Sequence, residues 1–174
     1  KGRLVSLIGT AGVGKTRLAL EIIYNIRERE KTYFCDLTGA TKKLEVARLI
    51  AKAIDIRLKS QDPLQQLAEY FQEHECILVL DNLEQVVNHI REVIRLWLTA
   101  SQKLKIIATS RVRLQIPTEK SFTIQPLSLL EAMELFSKRA QIAQSTFELD
   151  DKTRDTVGRI VQKLDKLPLA IELA

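Results

Sequence analysis

The chain has 174 residues, of which 45% are hydrophobic and 28% are charged, and its formal net charge is +5. This composition is ordinary for a soluble globular protein, and no apolar run reaches the ~18 residues that a membrane-spanning helix needs. The positive charge suits an anionic partner, but no Lys/Arg tract or aromatic-interleaved basic patch indicates nucleic acid. Cys35 and Cys76 lie in apolar, strand-like runs, which indicates core thiols in a reducing, cytoplasmic setting. Because the chain starts at Lys1 and not at Met, we expect it to be part of a longer protein.

A glycine-spaced turn follows the first predicted strand, which covers residues 3–9, and precedes a helix predicted over residues 15–30. Its residues fit the phosphate-binding pattern G-x-x-x-x-G-K-S/T. Glycines let backbone amides approach a polyphosphate, and the helix N-terminus behind them favours negative charge. Lys15 would neutralise the β and γ oxygens, and the Thr16 hydroxyl would bind Mg²⁺. The predicted nucleotide-binding residues of this segment are Gly9, Thr10, Ala11, Gly12, Val13, Gly14, Lys15, Thr16 and Arg17.

Strands and helices then alternate, and the apolar run that ends in Asp81 reads as a strand buried on both faces of a parallel sheet. Asp36, at the end of the second strand, could touch the site, but a strand-end cap or turn residue is the favoured interpretation. Asp62 and Pro63 have the pattern of a helix start. The further predicted strands are Thr32–Leu37, Cys76–Leu80, Leu104–Thr109 and Phe122–Gln125. Three helices are predicted between them: one over residues 42–57, one that begins near Asp62, and one from about Leu83 to Ala100.

Only helices are predicted after Pro126. Ser128 and Glu131 have the spacing of a capping box, and Pro168 follows Leu167 at the start of the last helix. A parallel α/β domain over residues 1–125, followed by a partial helical domain over 126–174, is therefore expected.

Two further acidic residues and one arginine are candidates for the chemistry of the site. Asp81 ends an apolar strand, where a P-loop protein is expected to hold Mg²⁺, although an acid there could also cap the next helix. Glu84 either orients the attacking water or complements a helix N-terminus, and the sequence leaves both open. Arg111, just past the fourth strand, either binds the γ-phosphate or is a surface residue. The candidate catalytic residues are Lys15, Asp81, Glu84 and Arg111, and the candidate metal ligands are Thr16 and Asp81.

Five blocks of the chain together resemble the signal-transducing ATPases with numerous domains, the STAND class, and within it the NB-ARC-like modules of bacterial regulators. The blocks are Leu7–Glu21, Ile77–Glu84, Ile106–Arg111, Ile124–Phe136 and Leu164–Ala174. The resemblance implies a P-loop NTPase fold of the ASCE type, with a five-stranded parallel sheet of order 2-3-4-1-5 and ATP or ADP as the nucleotide. It also implies that Arg111 is the first sensor arginine, which reads the γ-phosphate, and that Pro168 is the proline of the GLPL motif, which packs near the base of the nucleotide.

The sequence departs from that family pattern in two places that bear on function. Lys166 stands where the GLPL motif has glycine, and Asn82 stands where many members have a second acid. The resemblance implies a switch with slow Mg²⁺-dependent ATP hydrolysis, a homo-oligomer in the ATP state, no membrane partner, and DNA contact only through a separate domain. A non-hydrolysing interaction module and a rapid-turnover P-loop ATPase are the alternatives.

Overall fold

In the computed structural model, which describes residues 2–59 and 61–174, five strands form one sheet. The strands are β1 (Leu4–Ile8), β2 (Thr32–Asp36), β3 (Cys76–Asp81), β4 (Leu104–Ser110) and β5 (Glu119–Thr123). The helices are α1 (Lys15–Ile26), α2 (Lys43–Ala53), α3 (Pro63–Glu73), α4 (Val87–Ala100), α5 (Leu129–Ala143), α6 (Asp151–Lys163) and α7 (Pro168–Leu173). The strand order is β2-β3-β4-β1-β5 and every neighbouring pair is parallel, which confirms the predicted P-loop NTPase fold.

The sheet is buried because its central strands are apolar on both faces. All six residues of β3 are buried, as expected for a strand in the middle of a parallel sheet. Alternate residues of β3 and β4 join one core with the apolar sides of α2, α3 and α4, while α1 contacts β1 and β4. Trp97 and Phe71 are the largest fully buried side chains of this core and meet edge to face, with ring centroids 5.4 Å apart.

The start of α3 agrees with its prediction, whereas α1 and α2 end earlier than predicted. The Asp62 carboxylate accepts hydrogen bonds from the backbone N–H groups of Leu64 and Gln65, and Pro63 occupies the first turn, as predicted. The helix predicted over 42–57 ends at Ala53, because Asp55 has a φ of 56° and leaves the helical region. The helix predicted over 15–30 also ends early, at Ile26, before a run of charged residues.

Two elements differ from their predicted positions. The segment from Leu83 to Ala100 is not one helix: residues Leu83–Gln85 form a 3-10 turn, and α4 begins only at Val87. Strand β5 is Glu119–Thr123 and not the predicted Phe122–Gln125, so it begins three residues earlier and ends two residues earlier. The apolar residues near Phe122 misplaced it, because an edge strand tolerates charged residues and need not be apolar.

The C-terminal helices have a small core of their own. Ser128 and Glu131 form the predicted capping box at the start of α5. The buried residues of this core are Ala132, Met133, Val157, Val161 and Ile171.

By its contacts the chain divides into two compact units. One contains the residues through Ile8 together with Lys15–Thr123, and the other contains Gly9–Gly14 together with Ile124–Ala174. The division of the chain into domains at 1–125 and 126–174 stays a prediction.

Candidate functional site

The loop between β1 and α1 contains two glycines in a backbone conformation that other residues rarely adopt. Gly12 has a φ of 77° and Gly14 a φ of 102°, both in the left-handed region that favours glycine. A Cβ on Gly14 would meet no heavy atom within 4 Å, whereas a Cβ on Gly9 would lie 2.8 Å from Val13 Cγ1 and 2.9 Å from the Ile124 carbonyl oxygen. The loop therefore needs Gly9 for close packing and the two later glycines for their conformation.

Thr16 and Asp81 lie side by side although 65 positions separate them in the chain. Thr16 is in the first turn of α1, and Asp81 is the last residue of β3. The Thr16 hydroxyl donates to the carboxylate, with Oγ1 3.0 Å from each oxygen of Asp81, and Asp81 is buried. Hydroxyl and carboxylate oxygens are hard ligands of the kind that Mg²⁺ takes. The pair fits the predicted metal site, in which Thr16 would bind the ion directly and Asp81 directly or through water.

Thr109 holds the Asp81 carboxylate from the neighbouring strand. The Thr109 hydroxyl donates to Asp81 Oδ1 at 2.5 Å and accepts a hydrogen bond from the backbone N–H of Asn82 at 2.9 Å. Thr109 is 1% exposed and lies near the end of β4. The motif block Ile106–Arg111 includes Thr109 but assigned it no role, and its place at the carboxyl edge of the sheet is a second signal that could have found it.

Asn82 turns the chain sharply after Asp81. Its φ of 68° and ψ of 48° are left-handed, a conformation that asparagine tolerates better than most residues. Its side-chain amide donates to Thr38 Oγ1 at 2.7 Å, and that hydroxyl donates to Asp36 Oδ1 at 2.6 Å. Asp36 also accepts from the Thr38 backbone N–H, which confirms it as a turn residue. The turn at Asn82 leads directly into the 3-10 turn that carries Glu84.

Glu84 lies between two cationic side chains from different elements. Its Oε1 is 3.8 Å from Lys15 Nζ and 3.8 Å from Arg111 Nε. Lys15 is 9% exposed, Glu84 18% and Arg111 63%. Burial lowers the pKa of Lys15, and the nearby Glu84 carboxylate partly opposes that shift. The structure thus brings the predicted residues Lys15, Glu84 and Arg111 into one charged cluster.

Pro168 begins α7, and the residue after it contacts the glycine loop. The Leu169 backbone N–H donates to the Gly12 carbonyl at 3.2 Å. In the turn before Pro168, Lys166 has a φ of 56° and Asp165 a φ of 53°. Lys166 therefore keeps the left-handed backbone that glycine would favour at this position, although its side chain makes the conformation less favourable.

The other predicted loop residues differ in exposure. The side chains of Thr10, Ala11 and Arg17 are exposed, whereas Val13 is 4% exposed and packs inward. Val13 would therefore offer a nucleotide only its backbone. The part of each predicted residue in binding or catalysis stays a prediction.

A family model described as an AAA domain matches residues 1–116 of the chain. The chain belongs to the AAA domain family. It is accordingly an AAA-type P-loop ATPase domain, and nucleotide binding is the property of this family. The matched range contains β1 to β4 and every predicted catalytic residue.

Relatives with similar sequences come from mycobacteria. The chain is 34% identical over 176 residues to a Mycobacterium tuberculosis protein whose name suggests an HTH-type transcriptional regulator; the match covers 100% of this chain and 20% of that protein. It is 35% identical over 177 residues to an uncharacterized Mycobacterium tuberculosis protein, with 99% of this chain and 45% of the relative covered. The chain thus spans about a fifth to just under a half of these relatives.

Solved structures with the same fold are more distant in sequence. A STAND protein with a tetratricopeptide repeat sensor from Pyrococcus horikoshii superimposes with a TM-score of 0.66 at 18% identity, covering 99% of this chain and 27% of that one. Drosophila ORC bound to DNA gives 0.67 at 13% identity, with 99% and 54% covered. The Aeropyrum pernix ORC2 protein in its ADPNP and ADP complexes gives 0.65 at 14%, with 97% and 61% covered. At these sequence identities the similarity concerns the fold alone.

No helix among residues 2–59 and 61–174 combines the length and the apolar character required to cross a membrane.

Proposed function

We propose that this chain is the ATP/ADP-binding switch module of a STAND-class signalling ATPase with slow, Mg²⁺-dependent hydrolysis. The observation that carries the proposal is the meeting of Thr16 and Asp81 within 3.0 Å, beside the buried Lys15. The five motif blocks and the fold of the Pyrococcus horikoshii STAND protein support the class.

Each residue then has a distinct part in holding the nucleotide. Lys15 binds the β- and γ-phosphate oxygens, and the backbone amides of the glycine loop bind the phosphates beside it. Mg²⁺, when bound by Thr16 and Asp81, neutralises phosphate charge. Thr109 keeps the Asp81 carboxylate in one orientation, because its hydroxyl donates to one of the two oxygens. Arg111 senses the γ-phosphate, and Pro168 sets the start of the helix whose next residue contacts Gly12.

The switch itself needs only a difference in affinity. If ADP and ATP bind two conformations with different affinity, exchange of one nucleotide for the other shifts the population between them. In the whole protein the ATP-bound conformation would assemble into a homo-oligomer. The name of the mycobacterial relative suggests an HTH regulator, so any DNA contact is assigned to a separate domain of the longer protein.

The test is isothermal titration calorimetry with ADP and with ATP in the presence of Mg²⁺. We expect binding by the parent chain and its loss in Lys15→Ala. Lys43→Ala is the matched control, because Lys43 is also the first residue of a helix but is exposed and follows no glycine loop. Equal affinity of parent and Lys15→Ala, or no binding by a well-folded parent, would refute the proposal.

A second function, a nucleotide-dependent module that does not hydrolyse ATP, is favoured by one observation. Asn82 stands where many STAND proteins have a second acid, and because a carboxamide does not accept a proton it cannot serve as a base. Its side-chain amide is instead hydrogen-bonded to Thr38. Single-turnover hydrolysis by the parent and by Glu84→Gln separates the two functions. Slow product formation by the parent, and none by Glu84→Gln, supports the hydrolysing switch. No product from either protein over hours supports the module that does not hydrolyse ATP. Fast hydrolysis by the parent in a separate assay with ATP in excess would instead indicate a rapid-turnover ATPase.

A further inference from the structure

The cluster of Lys15, Glu84 and Arg111 contains one carboxylate and two cationic side chains. Lys15 starts α1, Glu84 is in the 3-10 turn after β3, and Arg111 directly follows β4. Both cations approach the same oxygen, Glu84 Oε1, at 3.8 Å. The two cations that the proposed function assigns to the terminal phosphate are therefore already paired with a negative charge that belongs to the chain.

The second oxygen of this carboxylate is in an unfavourable position. Glu84 Oε2 is buried and has no hydrogen-bond partner among residues 2–59 and 61–174. A buried carboxylate oxygen without a donor costs free energy, because it loses water and gains no partner. The carboxylate is thus held by charge attraction and not by a complete set of hydrogen bonds. Such a group is easier to displace than one that is fully hydrogen-bonded.

We propose that Glu84 is an internal substitute for the γ-phosphate and makes the site favour ADP over ATP. The proposal rests on the proposed function and adds a specificity-determining role for Glu84. A γ-phosphate and the Glu84 carboxylate are both anions that pair with Lys15 and Arg111, so ATP must displace Glu84 or be repelled by it. ADP has no γ-phosphate and leaves the Arg111 pair intact. ATP binding therefore costs more than ADP binding by the free energy of releasing Glu84.

This role differs measurably from the two roles that the sequence left open. A residue that only orients water changes the rate of hydrolysis and leaves the equilibrium affinities unchanged. A residue that only complements a helix N-terminus changes stability. An internal anion changes the ratio of the two affinities, and it does so without any hydrolysis.

The experiment compares equilibrium dissociation constants for ADP and for the β,γ-imido analogue of ATP, which is not hydrolysed, both with Mg²⁺. For Glu84→Gln we expect the analogue to bind about 10-fold more tightly, near the low end of the ~5–150-fold couplings usual between linked sites. ADP affinity should change less than the affinity of the analogue, since the β-phosphate meets Lys15 but leaves the ion pair of Arg111 and Glu84 intact. Glu92→Gln is the control, because Glu92 forms an exposed ion pair with Arg95 on α4.

Glu84→Ala is the second variant and should shift the ratio of the ADP and analogue affinities in the same direction. Agreement of the two variants would show that the effect comes from loss of the carboxylate and not from the new glutamine amide. An unchanged ratio in both variants would show that Glu84 does not compete with the γ-phosphate. Weaker binding of both nucleotides would show that Glu84 supports the site and does not oppose it. Either outcome overturns the proposal while the nucleotide-binding function stands. No binding of either nucleotide by the parent would overturn both.

Discussion

Removal of two buried hydroxyl groups in the sheet should change the free energy of unfolding by different amounts. Thr109 on β4 donates to Asp81 and accepts from the backbone of Asn82, and it is 1% exposed. Ser6 on β1 is 0% exposed, and its Oγ has no hydrogen-bond partner among the residues that the structure describes. We expect Thr109→Val to destabilise the fold and Ser6→Ala to be close to neutral.

The magnitudes follow from the groups left behind. A hydrogen bond to a charged group contributes about 1.5–3 kcal/mol, and an unsatisfied buried N–H costs about 1–3 kcal/mol. Since the two terms overlap, we expect Thr109→Val to lower the free energy of unfolding by about 3 kcal/mol, or Tm by about 6–12 °C in a chain of this size. Ser6→Ala removes a hydroxyl that is already unpaired, so its stability should stay within about 1 kcal/mol of the parent.

Trp97 provides the assay for both variants. It is the single tryptophan of the chain, it is fully buried, and its indole N–H donates to the Leu64 carbonyl at 3.0 Å. Urea unfolding of the nucleotide-free protein is followed by its fluorescence. A loss under about 1 kcal/mol in Thr109→Val, or an equal loss in Ser6→Ala, would refute the reasoning that hydrogen bonds to Asp81 and Asn82 distinguish these hydroxyls.

Three further predictions concern backbone conformation and thiol chemistry. Lys166→Gly should raise the stability of the C-terminal helices by about 0.5–1 kcal/mol, because glycine adopts the left-handed φ of 56° without strain. Calorimetric melting measures this gain, with Lys166→Ala, which keeps the Cβ, as the control. A lower Tm for Lys166→Gly than for the parent would contradict the prediction. Gly14→Ala, at a φ of 102°, should weaken ADP binding at least about 10-fold in titration calorimetry. The control Gly39→Ala, at a φ of 80°, should leave the ADP affinity unchanged. Equal effects of the two substitutions would count against a role for Gly14 in binding. Burial raises the pKa of Cys35 to about 12 and that of Cys76 to about 11, so neither thiol should react with Ellman's reagent at about pH 8 until urea unfolds the chain. Thiols in the unfolded chain ionise near their ordinary pKa of 9.0, so the free energy of unfolding should decline as pH rises from 9.0 towards about 11. Rapid labelling of the native protein, or constant stability over that pH range, would contradict these expectations.

The fold could be predicted from the sequence because its signals are local and strong. The apolar run ending in Asp81 indicated a central parallel strand, and the glycine pattern before Lys15 fixed a strand, a loop and a helix start in order. The strand order came from family resemblance, since no local pattern states which strands are neighbours. Strand β5 was misplaced because its charged residues carry no periodic signal.

The candidate site was only partly predictable because its geometry depends on contacts between distant segments. Thr16 and Asp81 could be paired by motif, but the hold of Thr109 on Asp81 comes from the register of two strands. The left-handed turn at Asn82 is a tertiary feature, since its side chain is bonded to Thr38 on a different segment. For the same reason the orientation of Glu84 could not be read from the sequence, where a continuous helix was expected.

The interior position of β1, between β4 and β5, has a consequence for how the chain folds during synthesis. Strand β1 leaves the ribosome first, yet its hydrogen-bonded neighbours are β4 and β5, which extend to Thr123. Strand β1 therefore stays unpaired until the residues of β4 and β5 have been made, and such non-local pairing is slow. A recombinant fragment ending at residue 116, where the family match stops, would lack β5 and leave one side of β1 open to another molecule. Expression boundaries for this protein should therefore lie beyond Thr123.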